Sequence, residues 1–196
     1  MIAGLLVAAG YGRRFDPTGA RAKLEERIEG MMVAVRTARA LLAHCDSVIA
    51  CVRPASLRLA EALAAAGCEV ETVHGDEGMG NSIACGARRA ASIEGLDALL
   101  VQPADMPWLT AASVRAVVQA PGDRLVVLPT WRGQDGHPVR FHASLLPELA
   151  ALSGEPGARQ VLMRHPPLRI PVDDVGVVRD IDTPADLSPA SDSTPP

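Results

Sequence analysis

Apolar residues occur in short blocks along the chain, separated by polar stretches rich in glycine and proline. Residues 2–8 (I-A-G-L-L-V-A) are apolar throughout, the pattern of a parallel strand buried on both faces. Residues 47–52 (S-V-I-A-C-V), 69–73, 98–101 (A-L-L-V) and 125–129 (L-V-V-L-P) predict four more strands, and 177–181 a last one ending at D-T-P-A-D-L. Between them lie Ala/Leu-rich stretches long enough for helices. One spans 31–43. A second spans 55–66, with Pro54 at its start and Gly67 just past its end. Residues 78–91 read as a loop feeding a helix, and Thr110 is the N-cap of a helix to about Gln119. After a polar, Gly-containing loop at 131–137 and the strand-like P-V-R-F come two short helices, 143–152 and 157–163. Strands alternating with helices predict an α/β fold with a mostly parallel sheet.

No internal repeat or linker interrupts residues 1–187, which read as one domain. The polar, Pro- and Ser-rich stretch 188–196 is expected to be disordered. With 196 residues, 48% of them hydrophobic, the chain can bury a full core. A net charge of −4 and only five aromatic residues argue against nucleic-acid binding. Cys45, Cys51, Cys68 and Cys85 form no C-x-x-C pair and read as buried thiols in a reducing compartment. The apolar start has no basic region before it, and no later run approaches the roughly 20 residues of a membrane span. A cytoplasmic protein with no membrane partner is expected.

Candidate chemistry concentrates where the first strand ends. Gly10 and Gly12 let the backbone approach a ligand closely, and Arg13, Arg14, Arg21 and Lys23 follow. In an open α/β sheet, ligands bind beyond the carboxyl ends of the strands. That rule brings this loop together with Asp105, after the fourth strand, and with Asp180 and Asp182, after the last. Cations and separate carboxylates on one rim suit a nucleoside triphosphate with Mg2+. Phe15 stands where a dinucleotide fingerprint needs its third glycine, and no P-loop is present. Singly, each feature has a plainer reading: a Gly-rich turn, a turn aspartate at Asp105, a helix-start acid at Asp182.

Taken in order, A-A-G-Y-G-R-R-F…K, G-M-G-N-S-I (78–83), P-A-D-M-P (103–107), G-H-P-V-R-F (136–141) and D-I-D-T-P-A-D-L (180–187) resemble the MobA-like nucleotidyltransferases. Within that family the likeness is nearest to the molybdenum cofactor cytidylyltransferases. The resemblance implies a three-layer α/β/α Rossmann-like fold with a mostly parallel central sheet. It implies Mg2+-dependent transfer of CMP from CTP to the phosphate of Mo-molybdopterin, with release of pyrophosphate. Partners implied are CTP or another NTP, a phosphorylated pterin, and a molybdoenzyme or its chaperone. Guanylyl or other nucleotidyl transfer to a different phosphorylated acceptor is the alternative, as is a non-catalytic cofactor-binding protein.

By the same resemblance, Arg14 holds the leaving pyrophosphate and Lys23 stabilises charge at the α-phosphorus. Asp105 and Asp182 bind the metal. Ala8, Ala9, Gly10, Gly12, Arg13, Gly80 and Ser82 bind the nucleotide, Ser82 reading the base, and A-A-G in place of A-G-G favours CTP. His137 is assigned to the acceptor. The insert D-P-T-G-A-R-A before Lys23 leaves Arg21 able to share or take over the lysine's role. Glu25 and Glu26, close behind it, are extra negative charge out of place beside phosphates unless they face solvent.

Overall fold

The structure, a computed structural model, describes residues 1–75, 78–154 and 157–188. The stretch expected to be disordered lies, after Ser188, outside the described residues. In chain order the strands are β1 (Ile2–Ala8), β2 (Arg27–Ile28), β3 (Met31–Met32), β4 (Ser47–Val52), β5 (Glu69–Thr72), β6 (Ala98–Pro103), β7 (Val126–Trp131), β8 (Gln134–Asp135), β9 (Val139–His142) and β10 (Leu168–Pro171). The helices are α1 (Val33–Leu42), α2 (Leu57–Ala65), α3 (Gly78–Ala90), α4 (Ala111–Val118), α5 (Leu146–Ala150) and α6 (Arg159–Arg164).

The main sheet runs β10-β7-β9-β6-β1-β4-β5, with β8 paired to β7, while β2 and β3 form a separate small ribbon. β1 lies in parallel between β4 and β6. Its alternate residues face two cores. Leu6 and Ala8 pack with α1, α2 and α4 through Val33, Leu41, Leu59, Leu63 and Val114. Leu5 and Val7 pack with Ile83, Ala87, Leu149 and Val161 of α3, α5 and α6. Helices on both faces of a strand that is apolar in both directions make the three-layer α/β/α arrangement. β5, the edge strand, alternates Glu, Val, Glu, Thr and stays partly exposed, as an edge that must not recruit further strands should. None of the described helices is long and apolar enough to cross a membrane.

The sheet is mostly parallel but mixed: β9 is antiparallel to both β6 and β7. The loop at 131–137 contains the short β8, which folds back on β7. Residues 31 and 32, expected in the first helix, pair with β2 instead. The predicted strand at 177–181 does not form. The edge beside β7 is taken by β10, and Val175–Val177 is a 3-10 turn. Gly176 lies so close to the Trp108 carbonyl that a Cβ there would be 2.2 Å from its oxygen. This segment packs on the loop after β6 rather than on a strand.

Candidate active site

The cavity beyond the carboxyl ends of β1 and β6 has a volume of about 480 Å3. Four separate stretches build its walls. The loop after β1 contributes Ala9, Gly10, Gly12, Arg13 and Arg14. Lys23 opens a 3-10 turn, Lys23–Glu25, and lines the cavity with Leu24. The first turns of α3 supply Gly78, Met79, Asn81 and Ser82, and the far wall holds Pro103, Asp105 and Asp182.

Gly12 has φ +62°, a left-handed conformation, and its carbonyl accepts from the N–H groups of Phe15 and Asp16. That tight turn directs Arg13 and Arg14 to the rim. The insert that follows is organised by Asp16, which accepts from the Thr18 hydroxyl and from the N–H groups of Thr18 and Arg21. The Thr18 hydrogen bonds hold the Asp16 carboxyl below the usual range. Arg21 is drawn away from the cavity: its Nε donates to Glu26 at 2.9 Å and its guanidinium lies over Phe15. Glu25 faces Arg58 at 3.8 Å. The two acids are therefore engaged by surface arginines, and Lys23, just after the insert, is the cation that reaches the cavity wall.

Lys23 Nζ donates to Asp105 Oδ2 at 2.6 Å, with side chains only 13% and 21% exposed. Arg14, 80% exposed, donates to Asp182 at 2.7 Å. Asp105 is placed by its neighbours. The Thr37 hydroxyl lies 3.0 Å from the Ala104 carbonyl, and Arg36 donates to that of Pro107. The Ile181 N–H donates to the carbonyl of Asp105 itself. That last bond brings Asp180 beside the site. Burial first, then the charges of Asp105 and Asp182, push its carboxyl above the ordinary aspartate value. The sequence placed Asp180 on the same rim as Asp182, but the resemblance named only Asp182 as a metal ligand; that Asp180 feels the charges of both Asp105 and Asp182 is visible only once the segment is docked. The helix-start role open to Asp182 belongs to Asp186, whose carboxylate accepts from the N–H and hydroxyl of Thr183.

Several expected residues sit elsewhere. Ala8 is buried and borders a smaller recess of about 30 Å3 behind the loop. The Gly80 N–H is used by the Gly154 carbonyl, and a Cβ there would lie 2.8 Å from that same oxygen, so its lack of a side chain serves close packing. His137 is half-buried and outside the cavity lining. Burial first lowers its imidazole from the ordinary histidine value, against the opposing pull of the Val101 carbonyl and of Asp105. Its Nδ1 is shielded and has no hydrogen-bond partner among the described residues. Its backbone N–H donates to the Val177 carbonyl. Among the described residues, no group of three or more His, Cys, Asp and Glu side chains is arranged to hold a metal ion.

A doubly covered α/β sheet whose strand ends carry a glycine loop, three cations and a set of carboxylates belongs to the class of open α/β proteins that bind ligands beyond their strand ends. The chain belongs to the MobA-like NTP transferase domain family, whose model matches residues 4–168. It is 34% identical over 131 residues to the bifunctional enzyme IspD/IspF of Maricaulis maris, a match covering 65% of this chain and 33% of that one. It is 30% identical over 112 residues to the purine catabolism protein PucB of Bacillus subtilis, covering 56% and 54%. The chain thus spans about a third and about half of the lengths of these curated relatives. Among solved structures, Rv0371c from Mycobacterium tuberculosis superposes with a TM-score of 0.82 at 23% identity, over 95% of both chains. A nucleotidyl transferase from Methanothermobacter thermautotroptrophicus gives 0.79 at 23%, over 95% of this chain and 94% of that one. Rv0371c has also been solved in complex with manganese, with a TM-score of 0.76 at 21% identity over 94% and 95% of the two chains. At these identities the structural likeness shows the fold.

Proposed function

We propose that the protein transfers a nucleoside monophosphate from a nucleoside triphosphate to a phosphorylated acceptor, CTP and Mo-molybdopterin being the favoured pair. The observation that carries this reading is the cavity wall itself, where Arg13, Arg14 and Lys23 face Asp105 and Asp182 beside an open glycine loop. An acceptor phosphate oxygen attacks the α-phosphorus, the bond from that phosphorus to the bridging oxygen breaks, and pyrophosphate leaves. The nucleophile is already anionic, so positioning and charge stabilisation are the protein's work. Lys23, half-buried and hence little screened, stabilises the α-phosphoryl oxygens. Arg14, on the open rim, holds the leaving pyrophosphate. Ser82 and the small Ala9 border the space for the base.

Asp105 and Asp182, with Asp180 close by, are hard oxygen donors of the kind Mg2+ takes together with phosphate oxygens. When bound there, Mg2+ would neutralise phosphate charge. Both carboxylates are held by cations, Lys23 and Arg14. Those cations are the groups that phosphates attract, so an incoming triphosphate frees the acids as it binds. Metal and nucleotide are therefore expected to bind together.

Pyrophosphate release, measured with Mo-molybdopterin, Mg2+ and each of the four NTPs, tests the reading. Release with CTP supports it, and preference for GTP would move the assignment to guanylyl transfer. Release with no NTP would overturn Mo-molybdopterin as the acceptor and with it the favoured pair.

A further inference from the structure

We infer that Arg53 is a positioning residue for the phosphate loop, acting through Tyr11; this rests on the nucleotide reading of the cavity. The loop after β1 is a partition. One side of it lines the 480 Å3 cavity, and the other lines the recess of about 30 Å3 together with Arg53, Ser56 and Leu59. Arg53 follows β4 directly, and the pairing of Val52 with Ala8 sets it beside the point where the loop leaves the sheet. Its Cζ lies 4.2 Å from the centre of the Tyr11 ring, while Arg13 approaches the same ring at 5.0 Å. Tyr11 and Arg13 line the cavity and Arg53 does not.

Arg53 Nε is shielded from water and has no hydrogen-bond partner among the described residues. Its planar group is thus oriented by the face of Tyr11, which attracts a cation through the ring quadrupole. The contact props the loop from behind at Tyr11, one residue before the left-handed turn at Gly12 and next to the cation Arg13. A loop held in one conformation presents its N–H groups and arginines to phosphate without a further ordering cost. Lys23 and Asp105 stand on other segments, and Arg14 is the loop's one group assigned to the leaving pyrophosphate. Removing Arg53 should therefore raise KM more than it lowers kcat.

The test uses Arg53→Met, Arg53→Lys and Tyr11→Leu with two readouts. Hydrogen exchange of residues 9–15 in the protein alone reports on the loop; titration with CTP and with inorganic triphosphate, both with Mg2+, reports on phosphate binding. Arg53→Met and Tyr11→Leu are expected to speed exchange and weaken both ligands by about fivefold, the worth of one cation–π contact. Arg53→Lys, which keeps the cation, should restore most of the affinity, and kcat should stay within about twofold of wild type. Unchanged exchange in Arg53→Met would overturn the inference, as would faster exchange with unchanged affinity for inorganic triphosphate. If the wild-type protein binds neither ligand, the nucleotide reading itself fails, a result distinct from a binding wild type with indifferent variants.

Discussion

Asp105 holds the Lys23 ammonium with its carboxylate while its carbonyl accepts from the N–H of Ile181. The side chain and the backbone of one residue thus tie three segments of the site together. On the proposed reading, Asp105→Ala should lower turnover by at least about a hundredfold while nucleotide still binds. Single-turnover kinetics beside a titration would check this, and near-wild-type turnover would remove Asp105 from the metal role. A second residue-scale prediction concerns a thiol that the spacing of the cysteines did not distinguish. Cys85 of α3 is half-buried against the fully buried Cys51 of β4. A hydrogen bond from the Cys51 thiol stabilises the Cys85 thiolate and lowers it to about 7, with help from Arg88 against the effect of burial. Burial pushes Cys68 up to about 11 and Cys45 up to about 12. Because the thiolate is the nucleophile, iodoacetamide should label Cys85 first, with a rate that climbs through about pH 7 and then levels. Peptide mass spectrometry over pH 5–9 reads this out, and equal labelling of Cys68 at pH 7 would contradict it.

At the scale of the element, α4 shows how a helix end can be completed from a distant strand. Its start was legible, and Thr110 accepts from the Ser113 N–H as an N-cap should. Its end was not. Arg140, on β9 and only 3% exposed, donates to the carbonyls of Val117, Val118, Ala120 and Pro121. A charged residue within the apolar run of a strand is a poor signal until its partners are known. Arg140→Leu takes away the buried side-chain donor shared by those carbonyls, of which Val117 and Pro121 keep long bonds from the N–H groups of Ala120 and Arg124, and should cost about 3 kcal/mol. Urea denaturation would measure the loss, together with a fall in Tm of roughly 6–12 °C. β10 illustrates the opposite failure. Prolines precede it and end it, and it is only four residues long and half-exposed, so only pairing with β7 makes it a strand. The more apolar 177–181 lost that place because Gly176 is docked on Trp108.

Across the whole molecule, the cavity depends on the stretch after β10 returning to the loop after β6. Gly176 is the pivot of that return. Its missing side chain allows a backbone approach in which a Cβ would lie 2.4 Å from the Trp108 carbonyl carbon and 2.7 Å from the Leu109 nitrogen. Backbone atoms cannot rotate away as a side chain can. Gly176→Ala is expected to destabilise the fold by about 1–3 kcal/mol. It should also displace Asp180 and Asp182, so that turnover falls even at temperatures where the variant stays folded. Wild-type stability and wild-type turnover in this variant would show that the return is not needed.

The sequence by itself determined the elements whose pattern is local and strong. β1 and β4 have the predicted bounds because short, nearly continuous apolar runs bounded by polar loops suit strands covered on both faces. The order of strands and helices determined the α/β class, and the rule that ligands collect beyond strand ends was enough to bring Arg14, Lys23 and Asp105 to one cavity. Asp182 reaches it through the docking of its segment on the loop after β6, not from a strand end. Tertiary structure alone decided which cation meets which acid and which glycine serves packing rather than a ligand. It also turned Arg21 away to Glu26 and set Arg53 behind Tyr11. Those outcomes depend on distances between segments far apart in the chain, and such distances are fixed by packing against the two cores, not by neighbours in sequence.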